Sequence, residues 1–177
     1  MNQRKEIYKT LVKMIHKANV SHIGSALSVV DILYVLYFKV ANISPSNIDD
    51  LNRDIIILSK GHASAALYAV LYHKGYLAKE MIENYALDNG SLPCHIDKEK
   101  SPFFEVSTGS LGHGSSLGIG FALAKKMDDK LGRVFIICGD GECNEGSVWE
   151  SLMFVSMHKL NNFIFIVDFN KLQGFKR

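Results

Sequence analysis

The chain has 177 residues, enough for one domain with a sizeable core, and 47% apolar with 21% charged residues is ordinary globular composition. A net charge of +2 gives no basis for a nucleic-acid or anionic-membrane partner, and the basic start "MNQRKEIYK" is too short for a nucleic-acid arm. Three cysteines, Cys94, Cys138 and Cys143, form no CxxC pair. That spacing fits neither a disulfide framework nor a zinc site and leads us to expect a reducing cytoplasm. The N-terminus lacks the basic, apolar and small-residue order of a signal peptide.

In chain order, Ile7, Leu11, Met14, Ile15 and Ala18 recur at helical spacing and predict an amphipathic helix over residues 3 to 18. "SHIGSALS" breaks it, and "ALSVVDILYVLYFKV" predicts a second helix over 26 to 40, interrupted by Asp31 and Lys39 and too short to span a bilayer. "NISPSNIDDLNRD" is a loop. "IIILS" at 55 to 59 reads as a strand buried on both faces, followed by "KGHAS" and a helix closed by Gly75. Residues 79 to 87 predict a short helix, and "DNGSLPCHIDKEKSPFF" a long excursion of the kind that often carries function. "EVSTGSLGHGSS", with a less defined strand before it, enters the helix "LGIGFALAKKM". Strand "RVFIIC", helix "SVWESLMFVSMHKL", strand "NFIFIVD" and a terminal "FNKLQGFKR" complete the chain.

The last third is a β-α-β unit, so the expected fold is α/β, a parallel sheet flanked by helices, with ligands at the strand carboxyl ends. Loops at 60 to 63, 139 to 146 and 168 to 174 all leave such ends. Within them "GDGECNEG" poses a problem. A glycine turn opening a helix offers N–H groups to an anion, yet Asp140 would repel a bare phosphate. A divalent cation resolves this, because carboxylate and phosphate oxygens can share one Mg²⁺. The second ligand is then sought on the adjacent strand end, where Asn170 stands thirty positions on. Either residue alone reads as a turn former; the pair at consecutive strand ends favours a metal–diphosphate site.

Gly139-Asp140-Gly141 with Asn170 resembles the thiamine diphosphate motif. "SHIGSALS", "LSKGHASAALYAVL", "STGSLGHG", "GDGECNEGSVWES" and "VDFNKLQG" are similar, in that order, to the N-terminal, diphosphate-binding half of transketolases, over residues 5 to 174. The resemblance implies a single thiamine diphosphate-binding domain over 1 to 177, shortened at its C-terminal end relative to the family. It implies Asp140, the Asn170 side chain and the Leu172 carbonyl as Mg²⁺ ligands, with Gly139 and Gly141 at the diphosphate. Gly109 and Leu111 match positions holding the aminopyrimidine, and His62 a histidine reaching the diphosphate. His22 and His95 match channel histidines that meet substrate hydroxyls. Glu145 matches a buried glutamate bridging towards the other half-site. His16, His73 and His158 lie beside lysines in helical patterns and read as surface residues. The chain departs from the family at Cys94-His95-Ile96, where Gly-His-Pro is usual, and at His113, where glutamine is common; both bear on substrate preference.

The implied activity is transfer of a two-carbon ketol unit from a ketose phosphate to an aldose, with neutral histidines as acid–base groups near pH 7. The family's activating glutamate and most substrate-phosphate arginines lie in its other half, so a C-terminal transketolase section is the expected partner. Apolar surface on the helices at 26 to 40 and 145 to 159 suggests a homodimer. Three alternatives stay open: a non-catalytic binding fragment, a ketoacid dehydrogenase α subunit, and a deoxyxylulose-phosphate synthase. A nucleotide-binding Rossmann domain is disfavoured by the lack of GxGxxG after the first strand.

Overall fold

The computed structural model describes residues 2–174, so the end of the terminal "FNKLQGFKR" segment lies outside the described residues. Three strands, β1 (Ile55–Leu58), β2 (Val134–Gly139) and β3 (Phe163–Asp168), pair in parallel in the order β1-β2-β3. Ile55 stands opposite Val134, and Val134 opposite Phe163, so the strands begin level and their carboxyl ends emerge together.

Alternation along the strands divides the core in two. Ile56, Leu58, Phe135 and Ile137 face a large cluster built with α1 (Gln3–Ala18), α2 (Ile23–Val35) and α3 (Ser64–Lys74). Ile55, Ile57, Val134, Ile136 and Cys138 face a smaller one, under α5 (His113–Met127) and α6 (Gly146–Met157). Burial on both faces is why β1 and β2 read as unbroken apolar runs. Every residue of α3 from Ser64 to Leu71 is buried, so this helix is the centre of its layer. Each large aliphatic side chain fully buried there contributes about 1.5–3 kcal/mol.

Several boundaries differ from the expected ones. The second helix begins at Ile23, three residues early, and its last turn widens into a π-helical turn over Leu36–Val40. The resulting 18-residue stretch Ile23–Val40 has a length and hydropathy (1.7) that would suit a membrane span. Its Ala26, Val29, Val30, Leu33, Leu36 and Tyr37 are instead buried in the core against the other helices, which accounts for its apolar character. The helix expected at 79 to 87 is only one turn, α4 (Lys79–Glu83), because Asn84 begins a chain of turns in which Ala86 and Asn89 take positive φ. The segment leading directly into α5 forms no strand; it runs irregularly to the helix start at His113. It is held without a ladder: the Thr108 hydroxyl donates to the Leu58 carbonyl at 2.9 Å and its N–H to the Ile96 carbonyl at 3.0 Å.

The apolar surplus is unevenly shared. On α6, Trp149, Met153 and Met157 are 59%, 66% and 81% exposed, whereas on α2 only Ile23, Val35 and the adjoining Val40 stand out, at 42–45%. The exposed apolar face therefore belongs mainly to α6, and the second helix is chiefly a core element.

Candidate functional site

The three strand-end loops converge on a cleft of about 550 Å³. His22, Lys60, His62, Leu111, Gly139, Asp140, Gly141, Glu145, Asn170 and Leu172 all line it. His95 and Gly109 stand just behind. The rings of His22 and His62 are 5.2 Å apart and those of His22 and His95 5.9 Å. Three histidines from distant parts of the chain thus form one cluster. His22 sits at the N-terminal end of α2 with φ 73°, a left-handed conformation uncommon for a residue with a Cβ. His95 is placed by its backbone: its carbonyl accepts from the Tyr68 hydroxyl at 3.3 Å, and the Cys94 carbonyl accepts from Ser64 at 2.6 Å. Gly109 packs against that ring, where a Cβ would stand 3.2 Å from His95 Cδ2.

Asp140 opens the turn after β2. Its Oδ2 accepts from the Lys171 N–H at 2.8 Å, while its Oδ1 is buried with no partner. A buried carboxylate oxygen without a donor is costly and calls for a cation or donor from outside. The Asn170 amide oxygen accepts from the Leu172 N–H at 2.8 Å, an Asx turn aided by the left-handed Lys171 (φ 60°). At Gly141 a Cβ would come 2.9 Å from Gln173 Cβ, so only glycine lets the two loops approach. Among the described residues no three His, Cys, Asp or Glu side chains are placed to hold one metal ion together. The available donors are instead a carboxylate, an amide and carbonyls, which suit a hard cation such as Mg²⁺.

The two glutamates of this loop differ in burial within the isolated chain. Glu145 is exposed, at the start of α6, and makes no capping hydrogen bond. The buried one is Glu142, 2% exposed. Its Oε1 accepts from the Ser59 hydroxyl and from the Gly112 N–H at 2.8 Å, and its Oε2 from the Gly139 N–H at 3.2 Å. One carboxylate thereby joins the end of β1, the entry to α5 and the end of β2. A second buried element is the ion pair between Lys60 and Asp168 at 2.7 Å, with side chains 2% and 7% exposed. It links the outer strands across the end of β2. Sequence reasoning passed over Glu142, Lys60 and Asp168; the available signal was charge at the ends of fully apolar strands. Of the three histidines read as surface residues, His73 is partly buried, with Nε2 2.9 Å from the Thr10 hydroxyl.

His62 is the titratable group most altered by this environment. Burial first, then the positive Lys60 and the neighbouring His22 and His95, push its imidazole from 6.5 down to about 4. The folded-state value is depressed, so between these limits the unfolded chain binds a proton that the folded one does not. Stability therefore falls as pH drops through this window. Replacing His62 with asparagine should flatten the dependence of Tm on pH there. Parallel Tm–pH curves for the two proteins would show that His62 titrates normally.

Fold and site together define a parallel α/β domain with a cleft at the carboxyl ends of its strands. Residues 4–174 match the family model described as transketolase, thiamine diphosphate binding domain, and the chain belongs to that family. It is 39% identical over 172 residues to the 6-deoxy-6-sulfo-D-fructose transketolase subunit SqwG of Clostridium sp. (strain MSTE9), covering 97% of this chain and 62% of that protein. It is 39% identical over 165 residues to an apulose-4-phosphate transketolase subunit of Phocaeicola vulgatus, covering 93% and 58%. The chain thus spans about three fifths of the length of these relatives. Among solved structures, a transketolase from Campylobacter jejuni superposes with a TM-score of 0.87 at 33% identity, over 98% of this chain and 29% of that one.

Proposed function

We propose that the chain is the cofactor-anchoring section of a transketolase-type enzyme that moves a two-carbon ketol unit from a ketose phosphate to an aldose. The observation that carries this reading is the partnerless buried Oδ1 of Asp140, in one cleft with the Asn170 amide. Asp140, Asn170 and the Leu172 carbonyl would hold Mg²⁺, which here serves as an anchor for the diphosphate. Gly139 and Gly141 would bring backbone close to that diphosphate, and Gly109 and Leu111 would hold the aminopyrimidine. Bound thiamine diphosphate supplies nucleophilic addition to a carbonyl and a sink for the resulting carbanion.

The chain's own histidines do the remaining work. His62, kept neutral near pH 7, donates or accepts a hydrogen bond at the diphosphate end without adding charge. His22 and His95, both exposed in the isolated chain, are the groups to orient substrate hydroxyls and exchange protons with them. Glu145, exposed beside Gly112, is available to a second polypeptide.

Two features argue for partners. Relatives of similar type are named as subunits, and α6 presents Trp149, Met153 and Met157 to solvent. A homodimer through α6, joined by a C-terminal transketolase section, is the working assembly we propose. Three free thiols suit a reducing cytoplasm. The test is sedimentation with a ketol-transfer assay, on the chain alone and with such a section added. We expect a dimer without turnover alone and turnover on addition. A monomer that converts ketose phosphates unaided would overturn the partner requirement. Cofactor binding without turnover in either mixture would favour a binding-only role.

A further inference from the structure

A side-chain amide looks nearly the same whichever way it is turned, so a site that uses its oxygen must fix its orientation. Asn170 is held from both ends. Its Oδ1 accepts from the Leu172 N–H at 2.8 Å, and its Nδ2 donates to the Ser28 hydroxyl oxygen at 3.2 Å. What makes Ser28 an acceptor here is its surroundings. A hydroxyl has one proton, and that of Ser28 faces Asp168 Oδ2 at 2.6 Å, with the Ser25 carbonyl at 3.0 Å as the weaker alternative. Asp168 is paired with the buried Lys60 at 2.7 Å, and Lys60 also approaches Ser28 at 3.5 Å. With its proton committed to a carboxylate, Ser28 has only lone pairs left for Asn170. Turning the amide over would set oxygen against oxygen at Ser28 and N–H against N–H at Leu172, and would cost both hydrogen bonds.

We infer that Ser28, oriented by the Lys60–Asp168 pair, is a positioning residue that keeps the Asn170 amide oxygen turned to the cation side of the cleft. This rests on the cation site proposed above. Ser28 touches neither cofactor nor substrate in this scheme and acts through Asn170. It comes from α2, far along the chain from both Asp140 and Asn170, so the helix that presents His22 also sets the geometry of the anchor.

Outer groups that orient a metal ligand are worth about 10–100-fold in metal affinity. Mg²⁺ titrated into the full chain at fixed thiamine diphosphate should therefore bind about 10-fold more weakly in Ser28→Ala, alongside the lower Tm expected from the lost hydrogen bond to Asp168. Ser28→Thr, which keeps the hydroxyl, should restore the affinity. In the cofactor-free protein the Asn170 amide protons should be slow to exchange by NMR and become fast in Ser28→Ala alone. Unchanged Mg²⁺ affinity in Ser28→Ala would overturn the inference. So would equal weakening in both variants, which marks loss of packing. If Asp140→Ala also left Mg²⁺ affinity untouched, the cation site itself would fail, and amide exchange alone would then decide the role of Ser28.

Discussion

Replacing Asp140 with alanine abolishes Mg²⁺-dependent retention of thiamine diphosphate and leaves a folded protein. A lost ligand should exceed the about 10–100-fold penalty typical of groups one shell further out. The diphosphate also loses the cation that would tie it to the protein. The fold has little at stake, because the Asp140 carboxylate accepts one protein hydrogen bond, from the Lys171 N–H on an exposed loop. A hydrogen bond to a carboxylate is worth about 1.5–3 kcal/mol, and removing the buried, partnerless Oδ1 offsets part of that loss. Calorimetry of the wild type and Asp140→Ala, each with Mg²⁺ and with EDTA, checks this. Equal affinity in all four arms would remove Asp140 from the site.

Replacing Lys60 with methionine should cost about 3–5 kcal/mol, because Asp168 is then left as a buried, uncompensated carboxylate. Its remaining donor is the Ser28 hydroxyl at 2.6 Å. Against a total stability of about 5–15 kcal/mol for an ordinary domain, the loss is large. Changing both partners to apolar residues should recover most of it, since desolvation of the pair offsets much of its attraction. Urea unfolding of the single and double variants reads this directly. A single-variant loss below about 1 kcal/mol would show that water reaches the pair, as at surface ion pairs.

The elements most legible in the sequence were those bounded by sharp changes in polarity. "IIILS", "RVFIIC" and "NFIFIVD" end in polar or glycine residues, and their ends carry Lys60, Asp140 and Asn170 into one cleft. A short loop has no period, so the sequence offered nothing to separate Glu142 from Glu145. Only the approach of Ser59, Gly112 and Gly139 selects Glu142 for burial. Likewise the segment before α5 has strand-like residues but no neighbour to pair with, and side-chain bonds from Thr108 fix it instead. The early start of α2 escaped because His22 enters through a left-handed φ, which no composition rule assigns to histidine.

The parallel pairing of β1 with β2 has a kinetic consequence. Arg133 and Asp54, which bond at the foot of these strands, are 79 positions apart in the chain, so β1 joins the ladder only by closing a long loop. Topologies dominated by such distant pairings fold slowly, whereas α1, α2 and the contacts between them are local and quick to assemble. An early, helix-rich species would therefore contain His22 in its helix pair but no floor beneath it. Asp140 and Asn170 meet once β2 and β3 have paired, but Lys60 and His62, which follow β1, complete the cleft only when β1 has joined them. Competence to bind the cofactor is thus among the last properties the chain acquires as it folds, and ligand added during refolding reports the completed sheet, not the helices that precede it.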